Sequence, residues 1–198
     1  MKIEIRSATE AVISGYVNAV ERDSRVLPRQ MCPGATGDFV ERVKAGTFAK
    51  AIARGHPIEV RFNHGRTLGT TENGSLLLKE DNIGLYAEAT VHDPEVIRSA
   101  RNRKLRGWSF GFTKITDDWE DAGEGIQRRT LSDIDLGEVS ILTECPAYIG
   151  TSIEMRGEST AVKEVRGAED AGEDVSEVPD YTARLAEIEI LKLKGRAK

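Results

Sequence analysis

The feature that most constrains the fold is the alternation of apolar and polar residues in short segments of the first 155 positions. Residues 2–6 alternate around two isoleucines, and a second apolar-rich stretch follows at once. Successive side chains of a strand point to opposite faces, so this two-residue period is typical of strands with one buried face. Similar segments occupy positions 11–20, 57–64, 75–91, 107–115 and 134–142. The sequence DNIG within 75–91 supplies turn residues, so that segment is predicted to be a hairpin.

Two further segments have helical spacing. In residues 37–55, Phe39 and Val43 lie four apart, and Gly55 is placed to stop the helix. Residues 93–105 predict a second short helix that begins after an N-capping aspartate and a proline. At least six strands with two or three short helices predict a mainly β protein. The expected architecture is a closed or nearly closed antiparallel β-barrel with the helices packed around it.

The composition changes after residue 156. Residues 157–179 are rich in Gly, Glu and Asp and contain no aromatic residue, which is typical of a flexible linker. Residues 180–198 return to helical periodicity, with acids early and lysines late. We therefore predict a domain at 1–156, an acidic linker at 157–179 and a short amphipathic helix at 180–198. Packing on its own domain, fraying and docking on a partner are all compatible with that helix.

Composition also excludes several classes of function. The net charge of −5 argues against nucleic acid as the main partner, because phosphate binding favours a basic face. No apolar run approaches the ~20 residues of a membrane span, and no signal-peptide pattern is present. Cys32 and Cys145 lie far apart and are expected to be reduced thiols of a cytosolic protein. HExxH, CxxC and GxxxxGK are absent, so the sequence predicts neither metal nor cofactor.

Of the three histidines, His64 has the most suggestive position. It continues the two-residue period of the apolar residues in strand 58–62. The alternation therefore predicts that the imidazole lies on the same face as those residues, at the edge of the apolar surface. His56 precedes a proline and marks a loop, and His92 lies beside a predicted turn at the surface. Taken alone, His64 is more simply interpreted as a hydrogen-bonded structural histidine.

Ser109 lies within the sequence GWSFGF. Trp108, Phe110 and Phe112 share one face of this strand, which leaves Ser109 and Gly111 on the other. The aromatic residues would fix the backbone by burial, and the small residues would let a substrate approach closely. This arrangement suits a nucleophile, although, taken alone, Ser109 is more simply interpreted as an ordinary strand serine between core aromatics.

Glu138 is the third candidate. Strand parity places it on one face with Leu136 and other apolar residues, where a carboxylate is costly to bury without a partner. An imidazole that becomes charged during catalysis would be such a partner. A contact with Arg128 or Arg129, which are also candidate oxyanion donors, is the structural alternative.

Several of these segments occur in a characteristic order. They are DFVERVKAGTFAKAI, VRFNHGRTLGTT, LLLKEDNIGLYAEATV, RGWSFGF and LGEVSILTECPAYIGTSIEMR. This ordered set resembles the prohead protease family of tailed phages, which is related in fold to the herpesvirus assemblins. The resemblance covers about residues 10–156. Two departures, Gly65 where the family often has Asp and Ala45 where proline is usual, do not touch the three candidate residues.

The resemblance implies an assemblin-like barrel and a serine endopeptidase in which Ser109 is the nucleophile and His64 the general base. Glu138 comes third in chain order, where the assemblins have a second histidine. The implied partners are the major capsid protein with its scaffolding segment, and other copies of the chain. The implied location is the host cytoplasm, inside the assembling prohead.

Two alternatives from other classes stay open. The first is a non-catalytic capsid-assembly or scaffold component that keeps the same barrel. The second is a hydrolase that depends on Cys145 or on a metal held by the scattered histidines.

Overall fold

The computed structural model describes residues 1–144, and these form a mainly β fold with few short helices, as predicted. The helical elements are a 3-10 turn at Arg29–Met31, helix α1 at Thr47–Ala53 and helix α2 at Pro94–Arg101. The linker predicted at 157–179 and the helix predicted at 180–198 lie outside the described residues, as does Cys145.

The first sheet is antiparallel throughout. Its strands are β1 (Lys2–Ile5), β2 (Ala11–Ala19), β6 (Leu76–Glu80) and β7 (Gly84–Val91), and they are ordered β1-β2-β7-β6. The predicted hairpin is confirmed as the pair β6–β7. Asp81 shapes its turn, because one carboxylate oxygen accepts hydrogen bonds from the backbone N of Ile83 (2.9 Å) and Gly84 (3.2 Å).

The second sheet is mixed and is built around one long strand. Its strands are β3 (Phe39–Val43), β4 (Glu59–Phe62), β5 (Arg66–Thr70), β8 (Gly107–Gly123) and β9 (Ile126–Leu142). β8 pairs antiparallel with β9 along its whole length. β3 pairs parallel with the first part of β9 and β4 pairs parallel with its last part, while β5 adds antiparallel to β4.

The predicted antiparallel barrel is therefore wrong in its strand directions. β3 and β4 run the same way because α1 returns the chain between them, as the connection between parallel strands requires. The sequence shows the strands but not which of them become neighbours over such a distance. Neither sheet closes on itself within residues 1–144, so the closure of an assemblin-like barrel stays a prediction.

The segment predicted as one helix before Gly55 is a strand followed by a shorter helix. Phe39, Glu41 and Val43 of β3 are buried in alternation, which is the period of a strand. The four-residue interval between Phe39 and Val43 fits the two-residue period of a strand as well as the 3.6-residue period of a helix. The interval alone therefore could not distinguish the two structures. Gly46, at φ 86°, separates β3 from α1, and Gly55, at φ 74°, ends α1 as predicted.

Both helices begin at a carboxylate. The side chain of Asp93 accepts hydrogen bonds from the first amides of α2, which confirms the predicted cap. At α1 the carboxylate of Glu80, from β6, accepts hydrogen bonds from Gly46 N (2.7 Å) and Ala49 N (2.6 Å). None of the helices in the described part of the chain is long and apolar enough to cross a membrane.

One apolar core is shared by the two sheets and α1. Ile13 of β2, Ala87 of β7 and Val139 of β9 are completely buried in it. Phe48 of α1 packs edge-on against Phe110 of β8, with ring centroids 5.2 Å apart. Edge-to-face aromatic contacts add to the stabilisation from buried area, so this pair fixes the backbone of β8 where the candidate serine lies.

Candidate active site

The candidate serine and glutamate lie on the face of the second sheet that points away from the apolar core. Ser109 is the cross-strand partner of Ser140, and Gly111 is the partner of Glu138. Directly paired residues point to the same face, so these four residues form one small-residue and polar patch. Phe110, between Ser109 and Gly111, is fully buried on the opposite face, as the sequence predicted.

An extra residue in β9, Gly137, determines which way Glu138 points. Gly111 pairs with Glu138, but the next residue, Phe112, pairs with Leu136, so the register shifts by one. The prediction that Glu138 shares a face with Leu136 is therefore wrong. The bulge reverses the alternation: Leu136 stays in the core, and Glu138 turns to the face of Ser109.

Gly111 leaves the space that the Glu138 side chain occupies. A Cβ atom at position 111 would lie 2.7 Å from both Cγ and Oε1 of Glu138 and 3.1 Å from its Cδ. Real Cβ atoms do not approach side chains so closely, so a larger residue would have to displace the carboxylate.

We therefore expect Gly111→Ala to lower about 100-fold any hydrolysis in which Glu138 takes part, because a displacement of about 1 Å in a catalytic group can have that effect. The matched control is Gly137→Ala, where the nearest atom to the new Cβ would be Gly111 O at 3.9 Å, an ordinary contact. The measurement is the hydrolysis rate of both variants beside circular dichroism. If both variants hydrolyse at the wild-type rate, the close contact between position 111 and Glu138 is unimportant.

His64 lies in the turn between β4 and β5 and not in the strand that precedes it. Asn63 and His64 have φ values of 49° and 56°, and Gly65 N donates to Phe62 O (3.0 Å) across them. Two successive positive φ values are typical of a type I′ turn. The predicted continuation of the strand parity to His64 is therefore wrong. The turn folds back onto β9, where His64 N donates to the Oγ of Ser140 (2.7 Å).

The structure brings the imidazole of His64 to the carboxylate of Glu138. Nδ1 lies 2.7 Å from Oε1, and only 15% and 11% of the two side chains are exposed. A carboxylate only accepts hydrogen bonds, so Nδ1 carries the proton and Nε2 of the neutral ring keeps its lone pair. Nε2 is buried and makes no hydrogen bond to the residues that the structure describes. A histidine in this tautomer can accept a proton at Nε2.

Arg61 is a site residue that the sequence reasoning missed. Its Nε lies 3.3 Å from Oε2 of Glu138 and donates to Oε2 of Glu59 (2.5 Å). The hydrogen bond from Arg61 is the main cause that holds the pKa of Glu59 below its usual range. The alternation of Glu59 and Arg61 around buried Val60 showed that both point away from the core. What the sequence did not show is that β4 lies beside the end of β9.

Arg128 and Arg129 take no part in this site. They lie near the start of β9, about 30 Å along the strand from Glu138 at the usual rise per residue. Their carboxylate partners are Asp23 and Glu120 for Arg128, and Glu41 and Asp117 for Arg129. The alternative in which these arginines pair with Glu138 is therefore wrong.

The remaining histidines and the described cysteine lie elsewhere. His56 is exposed, with Nδ1 3.5 Å from a carboxylate oxygen of Asp135. His92 is also exposed, and its Nδ1 donates to Thr9 O (3.1 Å). Both positions agree with the loop and surface locations predicted from the sequence. Cys32 is a buried free thiol.

By fold and site, the chain is a mainly β candidate serine hydrolase, with a strand serine on the same face as a histidine–carboxylate pair. The profile of the family described as caudovirus prohead serine protease matches residues 1–165, and the chain belongs to this family. Its members are hydrolases of phage capsid maturation, and the resemblance seen in the sequence is confirmed. Comparison with curated proteins and with solved structures gave no match.

Proposed function

We propose that the chain is a serine endopeptidase with Ser109 as nucleophile, His64 as general base and Glu138 as the group that orients His64. The observation that carries this proposal is the 2.7 Å hydrogen bond between Nδ1 of His64 and Oε1 of Glu138. It favours a base because it leaves Nε2 unprotonated on the face of the sheet that Ser109 occupies.

The proposed reaction follows from the chemistry of these groups. Nε2 of His64 removes the proton from the Ser109 hydroxyl as Oγ attacks the peptide carbonyl. Glu138 stabilises the imidazolium that forms, and His64 then gives the proton to the leaving amine. An acyl-enzyme results, which water hydrolyses with His64 again acting as the base.

The proposed substrates are the scaffolding segment of the major capsid protein and the chain itself, inside the assembling prohead in the host cytoplasm. Family membership supports this proposal. The composition of residues 157–179 supports it too, because a segment with little apolar content is easily held extended by a protease. The rival function, a non-catalytic assembly component, has no need for His64, Ser109 and Glu138 on one face.

We expect the purified wild-type chain to cut itself within residues 157–179, whereas Ser109→Ala stays full-length. The measurement is the intact mass of both proteins during incubation at high concentration. If both stay full-length, self-processing is excluded.

Cleavage of the capsid protein is tested separately, by coexpressing each form of the protease with capsid protein that carries its scaffolding segment. Processing by the wild type alone supports the proposal. Equal prohead assembly with both forms and no cleavage would favour the non-catalytic alternative.

A further inference from the structure

A row of polar side chains runs across the second sheet and ends at His64. Oγ1 of Thr67, on β5, donates to Oε2 of Glu59 (2.9 Å), and Nε of Arg61 donates to the same oxygen (2.5 Å). The Nε of Arg61 also lies 3.3 Å from Oε2 of Glu138, whose Oε1 meets Nδ1 of His64 at 2.7 Å. The row therefore joins β5, β4 and β9 to the turn that carries the imidazole.

Each oxygen of the Glu138 carboxylate has a different partner in this row. Oε2 lies beside a fixed cation, and Oε1 accepts from the imidazole. The Glu138 carboxylate lies at the end of three rotatable bonds, and one hydrogen bond does not remove all of that freedom. Glu59 accepts a hydrogen bond from Arg61 and another from Thr67. Thr67 therefore helps to fix Glu59, and Glu59 fixes Arg61 beside Glu138.

Charge reinforces this geometry. The guanidinium of Arg61 places a positive charge 3.3 Å from Oε2 of Glu138, and Glu59 partly neutralises that charge. β8 contributes no charge here, since Ser109 and Gly111 are its residues on this face. The turn also carries Arg66, two residues after His64, which is paired with Asp93, the N-cap of α2, and with Glu95.

We propose that Arg61 is a positioning residue that holds the Glu138 carboxylate toward His64, and that Glu59 in turn positions Arg61. This inference rests on the proposed serine peptidase function. It requires that changes in Arg61 and Glu59 alter the pH dependence of the reaction, in opposite directions. A residue that only supports the fold would lower the rate without moving the profile.

The test is the rate at which a fluorophosphonate probe modifies Ser109, measured from pH 5 to 9 with no protein substrate needed. Ser109 Oγ forms a bond to phosphorus, fluoride leaves and His64 takes the proton. The variants are Arg61→Gln, Arg61→Lys and Glu59→Gln. The matched control is Arg42→Gln on β3, since Arg42 also donates through Nε to a carboxylate, that of Asp23 (2.8 Å).

Removing the cation in Arg61→Gln should slow labelling about tenfold. It should also move the acid limb of the pH–rate profile to higher pH, by about half a pH unit at low salt. Glu59→Gln, which leaves the cation less neutralised, should move the acid limb to lower pH. Arg61→Lys keeps the charge but not the planar fork, so it should slow labelling without moving the limb as far. Arg42→Gln should match the wild type.

Wild-type rates and profiles in Arg61→Gln would overturn the inference, as would slower labelling with unmoved profiles in both Arg61→Gln and Glu59→Gln. Glu59 is partly exposed, and glutamine keeps the shape of its side chain, so Glu59→Gln decides the question if Arg61→Gln does not fold. Labelling of Ser109→Ala at the wild-type rate would instead refute the proposed function itself. The two failures are thereby distinguishable.

Discussion

Ser109→Ala is expected to lower the peptidase rate by about 10⁴-fold or more and to leave the fold in place. A hydrolase that loses its nucleophile keeps only the rate enhancement from binding and from transition-state donors. Ser109 is almost completely buried, between core residues Trp108 and Phe110, so alanine keeps its packing. The cost of a lost hydroxyl is about 1 kcal/mol. Hydrolysis rates and thermal unfolding of both forms check the two parts of this prediction.

Ser140 provides a comparison on the opposite strand. It pairs with Ser109 across β8 and β9 and is equally buried, but its Oγ accepts from His64 N (2.7 Å) and donates to Arg61 O (3.3 Å). Ser140→Ala should therefore lower the rate only about tenfold, through misplacement of His64. If Ser140→Ala abolishes hydrolysis while Ser109→Ala keeps the wild-type rate, the nucleophile is wrongly assigned.

The sequence predicts best where one regular period continues without interruption. In β8, the alternation of Trp108, Ser109 and Phe110 placed the serine on the correct face, because no bulge interrupts that stretch of strand. The hairpin β6–β7 and the capped helix α2 were also predictable, since turn and cap residues act over only a few positions.

The errors come from single residues that interrupt the period and from contacts between distant segments. Gly137 adds one residue to β9 and so reverses the face of Glu138, and the positive φ of His64 takes it out of its strand. A glycine inside a strand often marks a bulge, and Asn63 and Gly65 are typical turn residues, but none of these residue types demands the observed conformation. The bulge and the turn both lie beside the candidate site, and together they bring His64 and Glu138 into contact.

Arg61 was missed for the second reason. The alternation within β4 shows which face Arg61 lies on. Its contact with Glu138, however, depends on the parallel pairing of β4 with the end of β9. That pairing joins segments nearly 80 positions apart in the chain, and no local preference specifies it.

Glu138→Gln is expected to lower the peptidase rate by about 10³- to 10⁴-fold while Ser109 and His64 remain in place. An amide can donate as well as accept, so it can bond to an unprotonated Nδ1 and favour the tautomer whose proton sits on Nε2. That tautomer cannot take the proton of Ser109. The amide also gives the forming imidazolium no opposite charge, and it removes the ion pair with Arg61.

The matched control for Glu138→Gln is Asp135→Asn. Asp135 is also an acid of β9 that faces a histidine, His56, but the pair is solvent-exposed and its atoms are 3.5 Å apart. An exposed pair of this kind contributes little to stability, and it lies away from Ser109, so its loss should leave the hydrolysis rate unchanged. Proton NMR adds a direct readout, because the Nδ1 proton of His64 should be protected from exchange in the wild type and in Asp135→Asn, and lost in Glu138→Gln. If Glu138→Gln hydrolyses peptides within about tenfold of the wild-type rate, Ser109 and His64 act as a dyad and Glu138 has no orienting role.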